Sequence, residues 1–263
     1  MTRVLSAIGL AALVFGVVIF LPPICTLVLA VLTAALAFAE YSELAAALGA
    51  HVPRVIGAAA VTATCVAVGS TVLPLDAVLL SIFVIVGVFA VALGQPGPAV
   101  LRDTAATAFS VFYIGMPIGS LAAIRLYTGA EGTLLLIVTM IVSDSAQYYT
   151  GRMFGRRPLA PLISPNKTVE GAIGGLILGT AVMALGGLHT FPAAPRAMLV
   201  LASATVVAVG MIGDLFESLL KRSAGVKDSS TLIPGHGGVL DRIDSWLFAG
   251  PIYYVFAGYL QAS

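Results

Sequence analysis

Charge is what this sequence has least of. Only 10% of its 263 residues are Asp, Glu, Lys or Arg, against roughly 25% in a soluble domain. That shortage excludes an ordinary soluble globule of this length. A net charge of +1 says nothing about nucleic acid, and no basic tail or aromatic–basic patch suggests such a partner. Cysteine is nearly absent: Cys25 and Cys65 both sit in apolar runs, without metal-site spacing or a disulfide framework, so they are packing residues. No repeat, low-complexity segment or interdomain linker stands out, and no GxxxxGK run marks a Walker A phosphate loop.

What remains is apolar. The chain is 59% hydrophobic, with a mean hydropathy of +1.06, and long apolar runs recur along nearly all of it, the mark of membrane-spanning helices. The pattern predicts an all-α integral membrane protein, a polytopic bundle of about nine transmembrane helices. They are expected near 4–21, 24–39, 55–73, 75–93, 105–126, 132–150, 168–188, 197–215 and 245–260. Pro22-Pro23, Pro74 and the cluster Gly94–Pro98 punctuate them, and Pro117 should kink the fifth. The whole of 1–263 reads as a single membrane domain, with helices to about residue 130 as scaffold and 131–263 supplying catalytic helices and cytoplasmic loops.

With nine helices, the N-terminus and alternate loops share one side. That side holds Arg3, Arg54, Arg102, Arg152, Arg156, Arg157, Lys167, Lys221, Arg222, Lys227 and Arg242, leaving only Arg125 and Arg196 opposite. By the positive-inside rule it is the cytoplasmic side of a multi-pass protein in the cell membrane.

The scarce charges concentrate in two stretches, Ser143–Gly171 and above all Gly213–Asp244. Asp214 and Glu217 lie three apart and share a helix face, and Asp241 and Asp244 repeat the spacing. Asp144 lies inside the sixth apolar run, and carboxylates at such depth face a polar cavity or a partner. Hard oxygen donors without clustered Cys or His point to Mg²⁺ or Mn²⁺, with room in the set for a second cation, rather than zinc. As single residues these acids could equally be solvated helix caps; as a set they read as a site. Lys221, Arg222, Lys227 and Arg242 interleave with them, and Gly235-His236-Gly237-Gly238 forms a loop whose backbone could approach phosphate oxygens. In the other stretch Thr168 can cap a helix, Glu170 adds charge at its N-terminus, and Lys167 makes an anion site there. Gly171, Gly175 and Gly179 recur every four residues, which indicates close helix packing. Metal-holding acids beside phosphate-holding bases are typical of phosphoryl or nucleotidyl transfer.

These residues resemble a known family. SLLKR at Ser218–Arg222, Lys227-Asp228 and the run IPGHGGVLDRID ending at Asp241-Arg242-Ile243-Asp244 look like the hallmark motif of the CDP-diacylglycerol synthases (phosphatidate cytidylyltransferases). SDSA at Ser143–Ala146 with Gly151, and SPNKTVEG at Ser164–Gly171, resemble that family too. The close resemblance covers about 143–244; the N-terminal helices match only in being apolar. It implies that CTP and phosphatidate give CDP-diacylglycerol and pyrophosphate, with Mg²⁺, in a membrane-embedded homodimer. On that reading Asp214 and Asp241 are metal ligands, with Asp144, Glu217 and Asp244 beside them. Asp144, Asp214, Lys221 and Asp241 form the catalytic set. Ser164, Asn166, Lys167, Thr168, Arg222, Lys227, Asp228, His236, Gly237, Gly238 and Arg242 would contact the triphosphate and the lipid head group, while the acyl tails stay in membrane lipid. Another lipid-directed cytidylyltransferase or a polyprenol kinase shares the same physics. A cation-coupled transporter would instead place its charges near the midplane of symmetric halves.

Overall fold

The computed structural model describes residues 2–262 other than Pro234 and His236. The helices are α1 (Thr2–Phe20), α2 (Pro23–Ala47), α3 (Arg54–Gly69), α4 (Leu75–Leu93), α5 (Pro98–Ser110), α6 (Met116–Phe154), α7 (Val169–Thr190), α8 (Arg196–Ser223) and α9 (Leu240–Ala262). A π turn, Val111–Gly115, joins α5 to α6. Pro117 has no N–H to offer the carbonyl four residues back, so the helix widens just ahead of it, where a kink was expected.

The all-α class holds, with one short hairpin added: β1 (Pro158–Ala160) and β2 (Ser164–Thr168) pair antiparallel, with Pro158 opposite Thr168 and Ala160 opposite Ser164. One expectation is corrected: there are not about nine transmembrane helices. Among the described residues five helical stretches are long and apolar enough to cross a membrane: Pro23–Ala47, Leu75–Ala92, Pro98–Phe154, Val169–Thr190 and Arg196–Ser223. Apolar character alone does not make a span. The 16 residues of α3 reach only ~24 Å at 1.5 Å each, short of a ~30 Å hydrocarbon core, and among the described residues the apolar stretch of α1 covers Ser6–Phe20. The fifth and sixth expected helices run on as one 57-residue stretch, interrupted by non-helical backbone at Gly129. The ninth, α9, opens with Asp241, Arg242 and Asp244 and carries Pro251 inside, and it is not among the five. Several long apolar helices nevertheless mark a membrane protein.

The chain divides into two compact units. The first is Met1–Leu126 with Leu220–Ile243, the second Tyr127–Leu219 with Asp244–Ser263. In the first unit α2 packs on α3, and α3 on the π turn and the start of α6. Phe38, Tyr41, Val61, Cys65, Tyr113, Ile114 and Ile118 form its core. Glycines allow the close approach: a Cβ on Gly115 would stand 2.9 Å from the Val61 carbonyl, and one on Gly119 2.8 Å from that of Cys65. In the second unit Leu136, Met140, Val206, Val207, Leu247 and Tyr253 are buried, and the Tyr253 hydroxyl donates to the Gly132 carbonyl at 3.0 Å. Here the four-residue glycine repeat of α7 does what its spacing implies. A Cβ on Gly171 would meet the Gln147 carbonyl at 2.7 Å, and one on Gly175 the Ser143 carbonyl at 2.8 Å. That contact seats α7 against the turn of α6 that carries Asp144.

Candidate active site

The sequence-predicted residues gather in two clusters, one in each unit. In the second unit Asp144 projects from α6, Asp214 and Glu217 from α8, and Asp244 from the first turns of α9. Lys167 comes from β2, just ahead of the α7 N-terminus beside which it was expected. The hairpin's pairing and the α7 cap hold it there: the Thr168 hydroxyl accepts from the Gly171 N–H at 3.1 Å. Glu170 secures the other side by accepting from the N–H groups of Arg156 and Arg157 at 3.0 and 3.2 Å. Lys167 forms an ion pair with Asp214, both side chains about three-quarters covered. Gln147 Nε2 donates to Asp144 Oδ1 at 3.1 Å. Ser164 lies in the β2 register opposite Ala160, and Asn166 is exposed on the same strand.

Negative charge accumulates in this cluster. Burial and then the carboxylates of Asp214, Glu217 and Asp144 push the Asp244 carboxyl well above its ordinary pKa, against a partly offsetting N–H from Ser245. Glu217 is fully buried. Among the described residues no group of three or more His, Cys, Asp or Glu side chains is arranged to hold a metal ion. The donor set is nevertheless all hard oxygen, from Asp144, Asp214, Glu217 and Asp244, so its chemistry fits a divalent cation.

In the first unit Lys221 and Asp241 meet at 2.5 Å between Nζ and Oδ1, with side chains only 11% and 5% exposed. The other oxygen of Asp241 accepts from the Ser229 N–H at 2.9 Å, the Ser229 hydroxyl at 2.9 Å and the Gly238 N–H at 2.8 Å. Burial works to raise this carboxyl. The Lys221 hydrogen bond and the two backbone N–H groups outweigh it and hold it below the ordinary carboxylate range. The sequence reading had Asp241 as a metal ligand; here both of its oxygens are engaged with protein donors. Gly237 and Gly238 also have work other than touching a ligand. Gly237 has φ +77, where a Cβ is strained, and its carbonyl accepts from the Ile233 N–H at 2.8 Å. A Cβ on Gly238 would collide with the Ser229 hydroxyl and the Glu40 carboxylate. Arg222 donates to the Val226 carbonyl at 3.2 Å at the end of α8. Lys227, Asp228 and Arg242 are exposed. His236 lies outside the described residues.

Sequence reasoning missed Glu40. It falls just past residue 39, where the second helix was expected to end. Instead α2 continues to Ala47, and Glu40 is 4% exposed. Its oxygens accept from the hydroxyls of Ser229 and Ser230 at 2.9 and 2.7 Å, and from the N–H groups of Val239 and Leu240, each at 2.8 Å. The available signal was an acid flanked by apolar residues and set on a continuing helical period.

Each unit thus holds one cluster of the charged residues that the sequence singled out, set at helix ends of a membrane protein. The chain belongs to the Cytidylyltransferase family, which matches residues 1–260. It is similar to the phosphatidate cytidylyltransferase of Haemophilus influenzae, 48% identical over 130 residues, which cover 47% of this chain and 45% of that protein. The phosphatidate cytidylyltransferase of Thermotoga maritima is 37% identical over 183 residues, 67% of each chain. That of Bacillus subtilis is 39% identical over 147 residues, 55% of each. The matched stretch thus spans about half to two thirds of the length of these relatives.

Proposed function

We propose that this protein is a membrane nucleotidyltransferase that moves CMP from CTP to phosphatidate. A phosphate oxygen of phosphatidate attacks the α-phosphorus of CTP, the bond to the bridging oxygen of the β-phosphate breaks, and pyrophosphate leaves with that electron pair. The observation that carries the reading is family membership over residues 1–260, with relatives named for this reaction. The site chemistry supports it. The nucleophile is already anionic at neutral pH, so the task is to bring two polyanions together, neutralise them and hold them in line.

The half-buried Lys167 and the buried Lys221 are cations suited to that task, with the exposed Arg222, Lys227 and Arg242 to attract the triphosphate and the lipid head group. Asp144, Asp214, Glu217 and Asp244 are the residues that would hold Mg²⁺ or Mn²⁺. When bound, the cation neutralises triphosphate charge. Asp241 holds Lys221 in place. The acyl tails remain in lipid. We further propose that the N-terminus and the site loops face the cytoplasm across the cell membrane, where CTP is supplied, and that the protein works as a homodimer.

The test uses purified protein with phosphatidate, Mg²⁺ and α-labelled nucleotides. Transfer of label from CTP into the lipid fraction with pyrophosphate release is expected. Transfer of a γ-label to a lipid alcohol, with no α-label transfer, would replace this reading with a kinase. Thiol labelling of single-cysteine variants in the 227–232 loop, in sealed vesicles of known orientation, tests the sidedness. Light scattering in detergent tests the dimer.

A further inference from the structure

We infer that Glu40 is a positioning residue for the proposed reaction, a carboxylate from the N-terminal part of the chain that fastens the Lys227–Val239 loop and the start of α9. The inference rests on the reading of the first-unit cluster as part of a phosphate-handling site, and nothing in the hallmark motif contains this residue.

The first N–H groups of a helix have no intrahelical acceptor, and a side chain just ahead of the helix usually supplies one. The residues before α9 are Gly237, Gly238 and Val239, and none has a side-chain acceptor. Asp241 reaches back to the Gly238 N–H, which is one half of a capping box. The N–H groups of Val239 and Leu240 are left, and Glu40 takes both at 2.8 Å. A carboxylate is the favourable group there, because the helix N-terminus carries partial positive charge. The same carboxylate takes the hydroxyls of Ser229 and Ser230. One side chain therefore ties both ends of the loop.

The tie extends to the buried ion pair through Ser229. Its hydroxyl stands 2.9 Å from Glu40 Oε2 and 2.9 Å from Asp241 Oδ2, and its N–H donates to Asp241. Asp241 in turn holds Lys221. Glu40 itself is rigidly mounted: its neighbour Tyr41 is buried, and the Tyr41 hydroxyl donates to the Ala106 carbonyl at 2.8 Å. Glu40 thus acts on Lys221 only through the loop, which makes it a positioning residue rather than a catalytic one.

The test compares wild type with Glu40→Gln, which keeps the size but replaces one acceptor oxygen with a donor. It measures amide hydrogen exchange over residues 229–240 alongside kcat and KM for CMP transfer. Exchange should rise and kcat should fall, each by about tenfold, with KM for CTP nearly unchanged. A double-mutant cycle with Ser229→Ala should be non-additive, since both changes cut one path. Unchanged exchange, or a loosened loop with full kcat in an active enzyme, would overturn the positioning role. If Glu40→Gln does not fold, Ser230→Ala removes one of the four bonds and should shift exchange and kcat the same way by less; no shift would overturn the inference. A wild type that transfers no CMP, with a loop still loosened by Glu40→Gln, would overturn the assigned reaction and leave the fastening intact.

Discussion

Lys221 Nζ and Asp241 Oδ1 stand 2.5 Å apart, twenty positions from each other in sequence and almost wholly shielded from solvent. Breaking a buried pair leaves the remaining charge without compensation. Asp241→Asn should therefore cost about 3–5 kcal/mol of stability, read from urea or thermal unfolding in detergent, and should abolish CMP transfer. Lys221→Met combined with Asp241→Leu should recover much of that stability and none of the activity, which separates the structural role from the chemical one.

The same pair sets a pH dependence. The fold lowers the Asp241 pKa, so its contribution is fully present above the unfolded value near ~3.9 and is lost as pH falls through the lower folded value. The stability gap between wild type and Asp241→Asn should be constant from pH 7 to 5 and close below about pH 4. A gap that closed already at pH 6 would contradict the assignment.

Asp244 behaves oppositely. Its carboxyl is raised by burial and by Asp214, Glu217 and Asp144, so its charged form costs stability that grows as pH rises above ~3.9. Asp244→Asn should raise the thermal midpoint at pH 7 without divalent cation. It should also reduce the gain that Mg²⁺ gives wild type, as expected if the acids hold the cation. Differential scanning with and without Mg²⁺ measures both.

Lys167 pairs with Asp214 and is held by a hairpin and a helix cap. Lys167→Ala should lower kcat for α-label transfer by about a hundredfold or more, as loss of a charge that stabilises a phosphoryl transition state does. Lys167→Arg should restore part of it.

Gly238 has no room for a methyl group beside Ser229 and Glu40. Gly238→Ala should destabilise by about 1–3 kcal/mol and raise hydrogen exchange in the same loop, whereas Gly225→Ala tests only backbone strain, since nothing lies near its Cβ position.

The sequence by itself determined the membrane class and the family, and it singled out most of the charges now proposed to form the site. Those signals are local: long apolar runs, glycines four apart on α7, and an unbroken motif from Ser218 to Asp244. It also placed the Thr168 cap, because capping acts within three residues. Only tertiary structure decided which runs are long enough to span, since length depends on where a helix stops, and α2, α8 and α9 extend past their expected ends into polar residues. Partnership likewise came from the fold. Lys167 could have faced any acid and pairs with Asp214, whereas Asp241 turns to Lys221 and the Gly238 loop. Glu40 lies 189 positions from Ser229, a contact no spacing rule reaches, and the buried N–H groups at the head of α9 give it a purpose.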